Sequence, residues 1–124
     1  MNSQFKRGII ELCVLSELVS ADMYGYMVIN NISKHLDVNE NTIYPILRRL
    51  TMDGYFTTYL EESDQGAPRK YYKITESGFK FYMELRNEWD CFIGGVYEIL
   101  NQGGKKNEEI LRKFAERTEK MEHK

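Results

Sequence analysis

The stretch NTIYPILRRLTMDGY, residues 41–55, carries the clearest pattern in this 124-residue chain. Four aliphatic residues recur in it at helical spacing, and Gly54 follows as a stop signal. These four residues are Ile43, Ile46, Leu47 and Leu50. With Asn39 as the N-cap, the pattern predicts a helix over residues 40–53 that packs one apolar face on a core.

Pro45 interrupts this pattern, although a proline inside a helix costs about 3 kcal/mol. In the second turn, its missing amide leaves only the Asn41 carbonyl without a backbone partner. At about 100° per residue, the face opposite Ile43 holds Asn41, Tyr44, Pro45, Arg48 and Met52. The ring of Pro45 is therefore expected on an outward, mostly polar face.

Two helices are predicted before this one. Residues 4–19 form an amphipathic helix whose apolar stripe is Phe5, Ile9, Leu12, Leu15 or Ser16, and Val19. Asp22 is the expected N-cap of a second helix that runs to about Leu36. Its inward face is predicted to hold Met23 or Gly25, Ile29, Ile32 and Leu36.

After Gly54 the period changes to two, so residues 55–61 and 69–75 are predicted strands joined by a turn over residues 62–68. Thr75 then caps a long helix over residues 76–102. This helix carries a heptad seam of Tyr82, Leu85, Trp89, Phe92, Val96 and Ile99. Residues 101–107 read as a loop, and residues 108–122 as a charged amphipathic helix whose apolar side is Ile110, Leu111, Phe114, Thr118 and Met121.

This order of elements predicts a mostly α (α+β) fold: a winged helix-turn-helix with a β-hairpin wing and a long C-terminal dimerisation helix. The expected domains are a DNA-binding domain over residues 1–75, a dimerisation helix over 76–102, and a loop with an extra helix over 103–124.

Composition limits the function classes. The net charge is −2, but residues 41–73 carry five Lys or Arg against four Asp or Glu and form the only positive third. The overall negative charge disfavours a protein that binds nucleic acid indiscriminately by charge. It does not exclude a nucleic-acid binder whose basic groups are confined to one surface. No apolar run approaches the roughly 20 residues of a membrane span, and no signal peptide is evident, so we expect a cytoplasmic protein. Cys13 and Cys91 each fall among apolar residues and are expected to be reduced, packed thiols.

The stretch TIYPILRRLTMDGY followed by PRKYYKITESG, with MYGY at residues 23–26, resembles the PadR family of bacterial transcriptional regulators. The resemblance covers about residues 5–100 and is specific over residues 41–78. It implies a homodimeric repressor with the third helix in the major groove of operator DNA, the hairpin as a wing beside it, and the fourth helix in the dimer interface. The chain departs from the short family pattern in residues 103–124.

The outward face of the third helix supports DNA binding independently of this resemblance. Asn41 can bond adenine edges, Arg48 can bond guanine or a phosphate, and Thr42 and Tyr44 can reach phosphate oxygens. Pro45 is also a candidate DNA-binding residue, because its ring points to the groove side of the helix. A solvated helix face would hold similar residues, and Asn41 and Thr42 could instead be local caps.

The wing offers a second set of candidates, which are Gln65, Gly66, Arg69 and Lys70. The two cations can lie over the phosphates of a flanking groove, or the tip residues can be turn formers only. Lys6 and Arg7, on the first helix, are interpreted as a solvated face.

The resemblance also implies a site for a small planar aromatic effector at the dimer centre, walled by fourth-helix aromatics. The candidate lining residues are Tyr82, Leu85, Trp89, Phe92 and Val96. A filled helix seam would use the same residues.

No catalytic motif, cofactor or metal site is expected, since His35 and His123 are isolated and no phosphate loop or nucleophile elbow is present. The alternative function is a winged-helix dimer that acts as a protein-interaction module without binding DNA.

Overall fold

The computed structural model describes residues 3–122, with side chains for residues 6–104 and 106–121. Its elements are α1 (Ser3–Ser20), β1 (Met23–Tyr24), α2 (Gly25–Ser33), α3 (Glu40–Met52), β2 (Phe56–Ser63), β3 (Gly66–Ile74), α4 (Glu76–Gln102) and α5 (Gly104–Glu122). The sheet is antiparallel in the order β1-β3-β2. The predicted winged helix-turn-helix is confirmed.

The chain divides into two units after Arg86. The first holds the three-helix core, the sheet and the start of α4; its buried apolar residues come from α1, α2, α3, β1, β2, β3 and α4. The second consists of the rest of α4 and α5. None of the described helices is both long and apolar enough to cross a membrane.

The third helix forms as predicted. The Asn39 side chain accepts a hydrogen bond from the Asn41 amide at 2.9 Å. All four predicted aliphatic residues are buried. At the other end Gly54 adopts φ +84°, a conformation that glycine reaches without strain. The local signals in this stretch agree with its packing, which is why the sequence predicts it well.

The predicted stripe of α1 is wrong in part: Leu15 is buried as predicted, but most of the stripe is displaced. The buried residues are Ile10, Val14, Leu15 and Leu18, whereas Val19 is exposed and Ile9 and Leu12 are only half-buried. Phe5 lies outside the described side chains. Because α1 is apolar on more than one side, its periodicity alone does not select the face that meets α2 and α3.

The predicted start and end of α2 are also wrong. Met23 and Tyr24 form β1, paired with Tyr72 and Tyr71 of β3, so the helix begins at Gly25 rather than after an Asp22 cap. It ends at Ser33, and Leu36 is exposed. A strand pair between residues almost 50 positions apart leaves no local periodic signal.

The hairpin is longer and tighter than predicted. Pairing continues to Ser63 opposite Gly66, so only Asp64 and Gln65 connect the strands. An irregularity between Glu61 and Ser63 accompanies the turn, and Gly66 adopts φ +131°.

The predictions for the C-terminal half of the chain are confirmed only in part. Thr75 accepts a hydrogen bond from the Gly78 amide at 3.0 Å and caps α4, which has the predicted bounds. The predicted loop over residues 101–107 is wrong, because α5 begins at Gly104 and only Gly103 separates the helices. Cys91 is exposed rather than packed. Cys13 is half-buried, and burial, with a smaller contribution from Glu17, raises the pKa of its thiol.

Gly78 provides a test of how α4 joins the wing. A Cβ at this position would overlap the Tyr55 carbonyl oxygen and lie 2.9 Å from Cγ1 of Ile74. We expect Gly78→Ala to lower the free energy of unfolding by about 1–3 kcal/mol, because backbone must move to admit the methyl group. Denaturant unfolding at a fixed protein concentration measures this change.

Gly8→Ala is the matched control. It lies in α1, where a Cβ would meet no described atom within 4 Å. This substitution should raise the unfolding free energy by about 0.5–1 kcal/mol through helix propensity. Equal effects of the two substitutions would contradict the close approach at Gly78.

Candidate nucleic-acid interface

The outward face of α3 is exposed along its length. Asn41, Tyr44, Pro45, Arg48 and Met52 are exposed, and Thr42 is half-buried. Since Asn39 supplies the cap, the carboxamide of Asn41 is not needed for that purpose. The burial of the inner face therefore leaves hydrogen-bonding groups and one cation pointing outward.

Two consecutive arginines on α3 have different surroundings. Arg49 forms an ion pair with Glu11 of α1, with Nη2 2.9 Å from Oε2, which fixes α3 against α1. Within the part of the chain that the structure describes, no carboxylate lies within 4 Å of the Arg48 side-chain nitrogens. Arg48 is thus the α3 cation that remains available for an anion.

The wing approaches α3 on the side of Tyr44 and Arg48. A shallow cleft of about 320 Å³ lies between the wing and α3, and it is lined by Tyr44, Arg48, Thr51, Met52, Lys70 and Tyr72. The Lys70 ammonium lies 5.5 Å from the centre of the Tyr72 ring. Burial raises the pKa of the Tyr72 hydroxyl, Tyr44 adds to this effect, and the positive charge of Arg48 opposes it. The helix and the wing therefore share one continuous surface.

The Arg69 and Lys70 side chains lie over different aromatic rings. Successive residues of a strand point to opposite faces, and the Arg69 guanidinium lies 4.5 Å from the centre of the Tyr24 ring. Tyr24 in turn meets Tyr71 edge to face, with ring centroids 5.5 Å apart. The two cations thus lie over different rings but line one shallow depression together with Tyr24 and Tyr44, and of the two only Lys70 also lines the cleft with Arg48.

The tip residues Gln65 and Gly66 are both exposed. The Gln65 amide donates to the Ser63 hydroxyl at 3.2 Å, which closes the turn. Glu62 and Asp64 lie beside Gln65 and Arg69 around a polar depression at the tip. Their carboxylates weaken the positive potential there.

Gly25, which the sequence predicts only as a candidate for the inward face of α2, also belongs to this surface. A Cβ on Gly25 would lie 2.5 Å from Cε1 of Tyr44, so the glycine lets the Tyr44 ring lie against the start of α2. A glycine between two tyrosines at a helix start is the sequence signal of such a close approach.

A hydrogen bond from the Tyr59 hydroxyl to Oδ2 of Asp22, at 2.8 Å, ties the wing to the residue that precedes β1. This bond raises the pKa of Tyr59 to about 12, with smaller contributions from burial and from the charges of Asp22 and Glu61. Residues 37 positions apart are joined here, so sequence periodicity could not reveal the contact.

The predicted effector-lining residues are distributed over both units. Tyr82 is buried in the core of the first unit, and its hydroxyl accepts a hydrogen bond from Nη1 of Arg86 at 3.1 Å. Leu85 packs against the same core. In the second unit Trp89 and Val96 are half-buried, and Phe92 is exposed.

Among the described residues, no group of three or more His, Cys, Asp or Glu side chains has the geometry to hold a metal ion. The surface presents amide, hydroxyl and cationic groups on a helix and a strand pair.

A three-helix core with a two-stranded wing, and an outward polar face on the third helix, defines the winged-helix class of regulators. The sequence profile of the transcriptional regulator PadR-like family matches residues 14–84. The chain belongs to this family.

Relatives agree with this assignment. A solved PadR-like transcriptional regulator from Bacillus cereus is 32% identical, with a TM-score of 0.72, and the likeness covers 79% of this chain and 97% of that one. A PadR-like transcription factor from Bacteroides fragilis is 37% identical with a TM-score of 0.67, over 78% of this chain and 95% of that one. A transcriptional regulator from Mycobacterium tuberculosis is 29% identical over 76 residues, which are 60% of this chain and 70% of that protein.

The Tyr59–Asp22 bond predicts a pH dependence. A tyrosine whose pKa is higher in the folded state than its ordinary value of about 10 contributes stability below that pH. This contribution should be lost as the pH rises from about 10 to 12. NMR of protein labelled with ¹³C at tyrosine Cζ, with Tyr59→Phe for assignment, would follow the titration.

Asp22→Asn is the control, because it removes the carboxylate and should return the Tyr59 pKa toward its ordinary value. If Tyr59 titrates at the same pH in the wild-type protein and in Asp22→Asn, the bond does not have the assigned effect.

Proposed function

We propose that this protein is a homodimeric, sequence-specific DNA-binding repressor that acts in the cytoplasm by binding rather than by catalysis. The observation that carries the proposal is the exposed face of α3, with Tyr44 and Arg48 beside Lys70 of the wing, opposite a fully buried face.

An α-helix with its side chains is about 10–12 Å across, and the major groove of B-DNA is about 12 Å wide. In our proposal α3 enters this groove. Arg48 then bonds guanine O6 and N7 or a phosphate, and Asn41 bonds an adenine edge. Thr42 and Tyr44 reach phosphate oxygens near the helix start.

The wing would lie over the adjacent backbone. Lys70 shares the cleft with Arg48 and would face the same strand of DNA, and Arg69 lies over Tyr24 in a depression that Tyr44 and Lys70 also line. Gln65 and Gly66 at the tip are placed to touch the flanking groove.

A second copy of the chain is the proposed partner of α4. Along its second half, Phe92, Tyr97, Ile99 and Leu100 are all exposed, and a helix with this many exposed apolar side chains is stabilised when another subunit covers it. A two-fold dimer would place two α3 helices in successive major grooves, about 34–36 Å apart.

The effector that releases the DNA is proposed to be a small planar aromatic compound. Trp89, which is half-buried in the second unit, is the aromatic side chain proposed to stack on this compound. Tyr82 and Leu85, which pack in the first core, would set the position of the helix rather than touch the compound.

The competing function is protein interaction without DNA binding, and α5 favours it. Leu111, Phe114 and Met121 of α5 are exposed. An added amphipathic helix could bind a protein partner, with or without a role for α3.

DNA binding is tested with Arg48→Ala. On DNA from upstream of its own gene, we expect affinity for the specific site to fall about 10–100-fold, since one good base contact is worth about 1–3 kcal/mol. Binding to unrelated DNA should change much less. Fluorescence anisotropy of labelled duplexes measures both affinities at one salt concentration.

Lys80→Ala is the matched control, because Lys80 is an exposed cation of α4 that pairs with Glu76 at 3.5 Å. Specific affinity that is unchanged in Arg48→Ala would contradict the groove assignment. No salt-dependent binding by the wild-type protein would favour the protein-interaction module.

Effector binding has its own test, since Trp89 is the only tryptophan. A panel of planar aromatic cations should quench Trp89 emission in the DNA-free protein and release the operator at similar concentrations. Trp89→Leu is the control, because release that persists unchanged in this variant does not depend on Trp89, and titration of the labelled DNA alone identifies compounds that bind the DNA itself. Quenching without release would contradict an effector role.

A further inference from the structure

A cleft of about 450 Å³ separates the start of α1 from the first half of α3, on the side of α3 that faces away from the wing. Ile10 and Ile46 form its apolar floor and both are buried. Its polar rim consists of Lys6, Arg7, Asn41, Thr42 and Arg49, with Pro45 beside them.

The rim is positively charged. Lys6 and Arg7 are both exposed, and within the described residues neither forms an ion pair. Arg49 is already paired with Glu11, so the rim has two cations that are free to meet an anion. Two carboxylates adjoin the lining residues in sequence: Glu11, which pairs with Arg49, and Glu40, at the first position of α3, which is exposed to solvent.

Neutral donors complete this arrangement. The Asn41 carboxamide and the Thr42 hydroxyl lie on the rim, in the first turn of α3, where the helix dipole also favours negative charge. The rim therefore combines two cations, an amide and a hydroxyl around one opening, which is the set of groups that proteins use to hold phosphate oxygens.

The position of the α1 cleft beside the outward face of α3 indicates which phosphate it would bind. Around the axis of α3, the outward face containing Asn41 and Pro45 lies between the α1 cleft on one side and the wing cleft on the other. A helix that fills the major groove has the phosphates of one strand on each side. If Lys70 and Arg48 meet one strand, Lys6 and Arg7 meet the other.

We propose that the α1 cleft, through Lys6, Arg7 and Thr42, binds a backbone phosphate of DNA on the strand opposite the wing, while Asn41 at its edge bonds the adenine edge proposed above. The inference rests on the proposed function of α3 and extends the interface to α1. Phosphates carry no sequence information, so Lys6 and Arg7 contribute affinity and salt dependence, while discrimination between sequences stays with the α3 side chains.

The double variant Lys6→Gln/Arg7→Gln tests the proposal. The affinity for operator DNA is measured by anisotropy over a series of KCl concentrations for the wild type and the variant. Removal of one or two phosphate contacts should make the plot of log affinity against log salt shallower by about 0.9 to 1.8. The ratio of operator to unrelated-DNA affinity should stay within about twofold.

Two controls accompany this experiment. Lys6→Arg/Arg7→Lys keeps both charges and should keep the wild-type slope. Lys80→Gln removes one exposed α4 charge outside the cleft and should also leave the slope unchanged. Circular dichroism checks that all variants are folded.

A wild-type slope in Lys6→Gln/Arg7→Gln would overturn the proposal while leaving DNA binding by α3 intact. Absence of operator binding by the wild type would overturn the proposed function itself. Inorganic phosphate, titrated into the DNA-free protein at constant ionic strength, distinguishes the source of the anion. If the double variant loses phosphate binding but keeps the wild-type salt slope, the cleft holds a free anion and not DNA.

Discussion

The burial of one face of α3 is the constraint on which the interface depends. Ile43, Ile46, Leu47 and Leu50 are at most 3% exposed, so α3 cannot rotate about its axis without moving aliphatic groups into water. Burial of each such side chain is worth about 1.5–3 kcal/mol. The opposite face must then point outward, and Pro45 lies there, where its missing amide and its ring disturb neither the core nor the cap.

Contacts at both sides of α3 keep this orientation. The ion pair of Arg49 with Glu11 joins it to α1, and the Tyr44 ring lies against Gly25 of α2. At its C-terminal end, the Thr75 hydroxyl lies 2.8 Å from the Gly54 carbonyl oxygen and 3.0 Å from the Gly78 amide. The end of α3, the base of the wing and the start of α4 thus meet at one residue. The clefts on either side of α3 are consequences of this packing.

The sequence predicts what local signals determine. The cap at Asn39, the stop at Gly54 and the start of α4 at Thr75 each depend on a few neighbouring residues, and the structure has all three. The outward α3 residues follow from periodicity once the buried face is known. Their exposure was therefore predictable, whereas their contacts with DNA remain a prediction.

Contacts between distant segments could not be predicted in the same way. Strand β1, the Tyr59–Asp22 bond and the α1 cleft each join segments that are far apart in sequence. The buried face of α1 was misassigned because the helix is apolar on more than one side, and only packing selects between them. From the sequence alone, Lys6 and Arg7 are interpreted as a solvated face. In the folded chain they lie beside the start of α3.

The central claim is that α3 occupies the major groove of DNA, and chemical protection of the bases tests it most directly. Dimethyl sulphate methylates guanine N7 in the major groove and adenine N3 in the minor groove. If the protein binds its operator as the proposed dimer, we expect two patches of protected guanine N7, centred about 34–36 Å apart. Protection confined to adenine N3, or no protection at a site that is demonstrably occupied, would contradict it.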